Sequence, residues 1–375
     1  MGVVATLLAF AGVLFVLILV HELGHFISAK RAGITVQEFG IGFPPRIASV
    51  TWHGTRYSVN WIPLGGFVKM LGEDGDLELR RMQERGASPA EIEAALAGAF
   101  NRKPIWVRVL VLAAGVGMNF LLAMVMFSAY ASFPTEVQSG PLVVEEVTPD
   151  SPAARIGLAR DDVIVAADGR SFPLSRDLTA YINSRAGSEV KLSVDRAGTT
   201  LELTVIPRRP EDTPSGQGPI GFTWRPRDGT IVDPEFRPPG VLGALGQGVA
   251  FTWAVASQIP SGMALAVGGL LGVVPDAPDA AGPIGIAQET GRVLGLAVPI
   301  QLAWIGLLST NLAVLNILPF PPLDGGRIMV VLLEAVRRRR LQAEREALIY
   351  LTGFAVLLAL IILVSIRDIG RLFGA

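Results

Sequence analysis

The sequence has 375 residues, half of them hydrophobic (50%) and only 17% charged, with a mean hydropathy of +0.48, which is too little polar surface to enclose one water-soluble globule. Lysine and arginine (32) nearly balance aspartate and glutamate (33), so there is no basic footprint for nucleic acid. The absence of cysteine removes disulfides, thiolate metal sites and cysteine nucleophiles, and any zinc would have to be held by nitrogen and oxygen.

A bilayer core about 30 Å thick needs about 20 apolar helical residues. Residues 1–20 form the first such run and lead straight into His21. No Lys or Arg precedes the run and no small-residue cleavage site follows it, so it is expected to be a retained anchor. The stretch 57–69 alternates like a pair of strands within a β-loop of about 36–72. The second apolar run is 109–131. From 140 to 210 the pattern changes to short β-branched runs, 142–147, 163–166, 190–194 and 201–206, with turn signals at Asp168-Gly169 and Ala197-Gly198 and a helix near 175–184. This predicts a small β-rich domain, followed by a Pro- and Gly-containing linker over 211–240. The stretch 241–274 is uncharged but broken by glycines, glutamines and Pro260, a composition expected of an interfacial or re-entrant segment. Runs at about 298–318 and at 347–366 complete about four spans.

Lys30 and Arg31, Arg102, Lys103 and Arg108, and Arg327 with the run 337–340 fall in loops that the positive-inside rule places in the cytoplasm, whereas 132–152 contains no Lys or Arg. The expected fold class is an α-helical polytopic membrane protein. Its core would lie in two halves, 1–135 and 241–375, with the β-rich domain inserted between them and facing the extracytoplasmic side.

The first span ends in Val20-His21-Glu22-Leu23-Gly24-His25, an H-E-x-x-H pattern. Helix positions i and i+4 lie about 400° apart, so both imidazoles share one face, as a tetrahedral zinc accepts from two nitrogens. Glu22, beside the first ligand, could act as general base on a water whose pKa the ion lowers to about 7. The bland reading is two helix-end histidines with Glu22 paired to a neighbouring cation; it leaves ionisable groups beside an apolar span without compensation. His53 reads as a turn residue of a hairpin, so a third ligand should be a carboxylate. Asp324 follows the third span after Asn316-Ile317-Leu318-Pro319-Phe320-Pro321-Pro322-Leu323, where the prolines break the helix and the freed backbone groups need a protein-lined cavity. Standing alone, Asp324 would read as a helix cap. A full crossing by 241–274 would put Asp324 across the bilayer from the histidines, so a single-crossing fifth helix is expected to be incompatible with the site.

These two motifs in this order, HExxH ending the first span and N-x-x-P-x-P-x-L-D-G ending a later one, resemble the site-2 protease family of intramembrane zinc metalloproteases, in its bacterial RseP-like branch with a single PDZ domain. The resemblance implies that His21, His25 and Asp324 bind Zn2+ and that Glu22 is the catalytic base. It implies a multi-pass protein of the bacterial inner membrane whose active site lies near the cytoplasmic side. It also implies regulated intramembrane proteolysis of single-span membrane proteins, such as anti-sigma factors already shortened by another protease.

The PDZ-like character rests on Ser151-Pro152-Ala153-Ala154, on 157–164 and on Asp168-Gly169, with Asp161-Asp162 where Gly-Asp is usual. A loop near 140–143 is the candidate for holding a peptide C-terminus, and a steric filter that binds no peptide is the alternative. Gly65-Gly66-Phe67 resembles the family's membrane-dipping β-loop, whose edge could pair with an unwound substrate. The amide of Asn316 is expected to orient substrate or support an oxyanion, and a helix-to-helix hydrogen bond is equally compatible. Asn119, in Gly115-Val116-Gly117-Met118-Asn119-Phe120, either packs the core or bonds across helices. Two other classes fit parts of the pattern: a non-catalytic PDZ-bearing membrane adaptor with a structural metal, and, less well, a metal transporter.

Overall fold

The computed structural model describes residues 2–73, 83–86, 88–134, 136–214, 217–227, 229–233, 236–270, 272–274, 282–339 and 343–372. The chain forms two compact units, one of Met1–Ser132 with Pro239–Ala375 and one of Phe133–Pro238.

In the first unit, α1 (Val3–Arg31) carries the two histidines in its interior and continues to Lys30 and Arg31, cations that suit the negative end of a helix, before Gly33 turns the chain at φ +65°. β1 (Val36–Trp52) and β2 (Thr55–Met70) pair antiparallel around a turn at His53-Gly54, both with positive φ, which makes His53 the turn residue expected from the sequence. The register is doubled: Phe39–Ile41 lies opposite Tyr57–Val59 on one side and opposite 66–68 on the other. Residues 66–70 are therefore an edge. α2 (Pro89–Ala97) leads to α3 (Ile105–Ala131).

The second unit opens with β3 (Glu136–Gln138), which pairs with β9 (Thr230–Val232). Its five-stranded antiparallel sheet, in the order β7-β6-β5-β4-β8, is built from β4 (Leu142–Val147), β5 (Val163–Ala167), β6 (Val190–Arg196), β7 (Thr199–Val205) and β8 (Phe222–Pro226). The helices α4 (Pro152–Arg155) and α5 (Ser175–Ser184) complete it, and Leu142, Val144, Ile164, Leu178, Leu192 and Val194 fill the core. This is a PDZ-like domain. Two sequence expectations are corrected here. β4 is flanked by β5 and β8, and Gly140 is tied to Pro173 and Ser175, so the stretch 140–143 offers no open edge to a peptide. The open edge beside it belongs to β8, which comes from the stretch expected to be a linker; a five-residue strand between Gly221 and a closing Pro226 carries too little periodicity to stand out.

Asp161 takes the left-handed turn position (φ +65°) that glycine would otherwise fill, as aspartate can. Its neighbour Asp162 is fully buried, which raises its pKa, but two bonds from Arg196 at 2.7 Å and one from the Ala159 amide at 2.8 Å outweigh burial and hold the carboxyl below the usual range. A depressed folded-state pKa means that this stabilisation is present above the unfolded aspartate pKa of about 3.9 and is lost as pH falls through the folded value. Amide hydrogen exchange across 142–205 should accelerate on acidification, after correction for intrinsic rates, and Asp162→Asn should remove that part of the acid dependence.

Returning to the first unit, α6 (Val241–Leu270) is one continuous helix through Pro260, of which Val241–Ala266 is long and apolar enough to cross a membrane. Pro260 therefore does not end it, because one missing N–H interrupts a long helix without breaking it, and residues 275–281, on which the re-entrant reading also depends, lie outside those described. The ends of this region explain how the site survives. Gly248 packs on Ser128 and Phe251 on Phe127 and Tyr130, near the C-terminal end of α3, while α7 (Pro283–Val293) sets Gly291 against Thr6, near the N-terminal end of α1. Both contacts lie at the bundle end away from the histidines, so α8 (Val298–Ile317) starts there and descends antiparallel to α3, with Ser309 donating to Asn119 O at 2.8 Å. α9 (Asp324–Arg337) then runs onward to pair Glu334 with Arg108 at 3.0 Å, and α10 (Ala343–Leu372) climbs back, its Asp368 accepting from the amides of Gly282 and Gly285 at the start of α7.

Candidate metal centre

α1 and α3 run antiparallel, and each offers a stripe with a spacing of four. His25 faces Val111 and His21 faces Asn119, with Gly115 between. His25 Nδ1 donates to the Val111 carbonyl at 2.9 Å, which leaves its Nε2 lone pair free. Asn119 is fully buried, its amide nitrogen is 3.3 Å from His21 Nδ1, and its Oδ1 has no partner. Turning the amide end for end satisfies that oxygen with the His21 Nδ1 proton and frees His21 Nε2 in the same sense.

Asp324 arrives from the far end of the chain. Loop 318–323 leaves α8 and folds tightly under the first turn of α9. A Cβ on Gly326 would lie 2.6 Å from Phe320 C, and one on Gly325 would overlap the carbonyls of Ile317 and Leu318. Only glycine at both positions lets Asp324 sit this deep. Its Oδ2 lies 3.0 Å from His21 Nε2 and 3.3 Å from His25 Nε2, and the two ring nitrogens are 3.2 Å apart.

All three residues are buried, and Asp324 Oδ2 has no conventional hydrogen-bond donor. Three lone-pair atoms this close repel unless a cation or proton lies among them. A tetrahedral ion with bonds of about 2.0–2.2 Å separates its ligands by about 3.3–3.6 Å, close to the spacing observed. The space is kept by Gly115, where a Cβ would lie 2.7 Å from His25 Cε1 and 2.8 Å from His21 Cε1. The donor set of two imidazoles and one carboxylate therefore fits a divalent metal with a further position for solvent or substrate.

Glu22 stands outside this group, on the neighbouring face of α1. The edge strand passes it: a Cβ on Gly66 would be 3.6 Å from Glu22 Cγ, and one on Gly65 would be 3.2 Å from Ile18 Cδ1, one turn earlier. Gly65 and Gly66 are thus brought to the site, whereas Phe67 turns its ring toward Phe43. Asn316, half-buried in the last turn of α8, makes no hydrogen bond to the four central residues among the described ones. Beside the site, Arg327 of α9 is paired with Glu73, just beyond β2, which ties the Asp324 helix to the edge strand. Sequence reasoning left Asn119 undecided and passed over Gly115 and Val111. Their signal was the 111, 115, 119 stripe, matching the four-residue step between the histidines.

A buried two-histidine, one-carboxylate group with an unligated glutamate alongside, inside a bundle of apolar helices, defines a metallopeptidase of the membrane. The family model and the sequence relatives agree. The family model for peptidase family M50 matches residues 9–360. Metalloprotease MmpA of Caulobacter vibrioides is 31% identical, covering 99% of this chain and 96% of its own. Zinc metalloprotease RasP of Oceanobacillus iheyensis is 29% identical over 98% and 99%. Among solved structures, the PDZ domain of an SdrC-like protein from Listeria monocytogenes aligns with 24% of this chain and 93% of its own at 26% identity and a TM-score of 0.20. The chain belongs to peptidase family M50, the site-2 protease family. It is a metalloendopeptidase of that type and a multi-pass bacterial membrane protein.

Proposed function

We propose that the protein is an intramembrane zinc protease that hydrolyses peptide bonds in or near the membrane segments of single-span proteins. The observation that supports this most is the convergence of His21, His25 and Asp324 beside Glu22. Zinc suits nitrogen and oxygen donors in tetrahedral array, and when bound it acidifies a water and polarises the scissile carbonyl. Val111 and Asn119 fix the tautomers of the two histidines, and Asp324 contributes the negative charge of the donor set. Glu22, held out of that set, takes the proton of the attacking water and returns it to the leaving amine.

The substrate must be held extended. The open edge at 66–70, with Gly65 and Gly66 against α1, would pair with an unwound segment, its main-chain groups replacing hydrogen bonds that lipid cannot supply. Phe67 and the Asn316 amide are assigned to substrate contact on the same reading. The distribution of basic loops supports a metal centre near the cytoplasmic side and a PDZ-like unit outside, where the β8 edge would receive the end of a substrate already shortened by another protease. Anti-sigma factors are the substrate class this scheme suits, in the second cut of regulated intramembrane proteolysis. A non-catalytic adaptor with a structural metal has no use for a glutamate kept out of the ligand set.

The test compares the membrane proteome of cells carrying wild type with that of cells carrying Asp324→Asn. Truncated single-span proteins should accumulate in the variant; identical profiles would overturn the proposal.

A further inference from the structure

α9 has two unlike faces. Gly326, Val330 and Val331 are buried against the bundle, and Glu334 on the same side pairs with Arg108. The opposite face exposes Met329 (42%), Leu332 (48%), Leu333 (42%) and Val336 (83%), at the i, i+3, i+4, i+7 spacing of one helical stripe. With 14 residues the helix is about 21 Å long and too short to cross a bilayer. At its C-terminal end the chain turns through Arg338 in the left-handed region (φ +52°), and Arg337, Arg338 and Arg339 are all exposed. Among the described residues no carboxylate pairs with any of the three; Arg340 lies outside those residues. Lys30 and Arg31 are exposed at the same end of the bundle, where Lys103 lies close to Gly33.

We propose that this end of α9 is a binding site for anionic phospholipid, with the apolar stripe in the acyl layer and Arg337–Arg339 on the headgroup phosphates. Unpaired guanidinium groups next to an apolar stripe match a lipid that is anionic at one end and hydrocarbon at the other. Guanidinium also binds phosphate oxygens in a fork that a hydrated ammonium cannot form. A helix-end dipole would favour basic residues here as well, but it needs no exposed apolar stripe.

The chain has no cysteine, so Val336→Cys gives a single labelling position in the full-length protein. With a fluorophore there, in bilayers containing equal mole fractions of the two lipid types, brominated phosphatidylglycerol should quench at least about two-fold more than brominated phosphatidylcholine, against an attraction of about five-fold per basic residue. Raising salt should reduce the difference. Replacing the three arginines by glutamine should equalise the two lipids while quenching persists. Equal quenching in the otherwise unmodified protein would remove headgroup recognition, and no quenching by either lipid would show the stripe to be covered by protein. Either result overturns the proposal.

Discussion

Gly115→Ala will yield a folded protein that does not retain its metal. The substitution adds one methyl group to the middle of an apolar helix, where alanine is favoured over glycine by about 1 kcal/mol, so α3 itself gains stability. The new Cβ would lie 2.7–2.8 Å from the facing imidazole carbons and overlap His25 Nε2, in the space where the ligand atoms converge. Both rings are fixed from behind by Val111 and Asn119 and cannot retreat without losing those bonds. Metal affinity should fall at least about 100-fold, the upper end of what disturbing a supporting residue costs, and proteolysis should fall with it. Gly117→Ala supplies the control: it is the same exchange two residues on, with nothing within 4 Å of the added carbon. Metal content of the purified variants, measured alongside thermal unfolding, decides the matter. If Gly115→Ala binds metal like Gly117→Ala, the ion does not sit among these three side chains.

Glu22→Gln should show the opposite separation. Glutamine preserves the shape of the side chain and its contact with Gly66, and Glu22 is not one of the three converging groups, so metal content should match wild type. Proton transfer from the attacking water is lost, and a positioned general base is worth about 100- to 10,000-fold. Cleavage of a tagged single-span reporter in proteoliposomes should fall within that range while the reporter still binds. Loss of metal together with activity would make Glu22 a ligand, and retained activity would remove it from the chemistry.

Four of the five helices long and apolar enough to cross a membrane, and the spacing of the histidine pair, were legible because each rests on a local pattern. Hydropathy runs need only length, and i, i+4 spacing needs only the pitch of a helix. Asp324 was legible only in combination, since a carboxylate after a proline-broken span also reads as a cap until two histidines require a third ligand. Gly115 was not legible: a glycine in an apolar helix serves packing, kinking or close approach, and only the antiparallel match of α1 with α3 shows which. The β8 strand escaped for a different reason. Its five residues end in proline amid turn-forming composition, and it is held by its register against β4. The continuity of α6 through Pro260 was missed because residue-level signals weigh a proline heavily, whereas a long helix loses only one bond to it.

Two ligands lie near the start of the chain and the third lies beyond the whole PDZ-like unit. A polypeptide whose synthesis stops anywhere before Asp324 therefore lacks the carboxylate, and its histidine pair lacks a third ligand. On the proposed assignment of the three ligands, metal binding and hydrolysis can begin only once both halves of the bundle have docked.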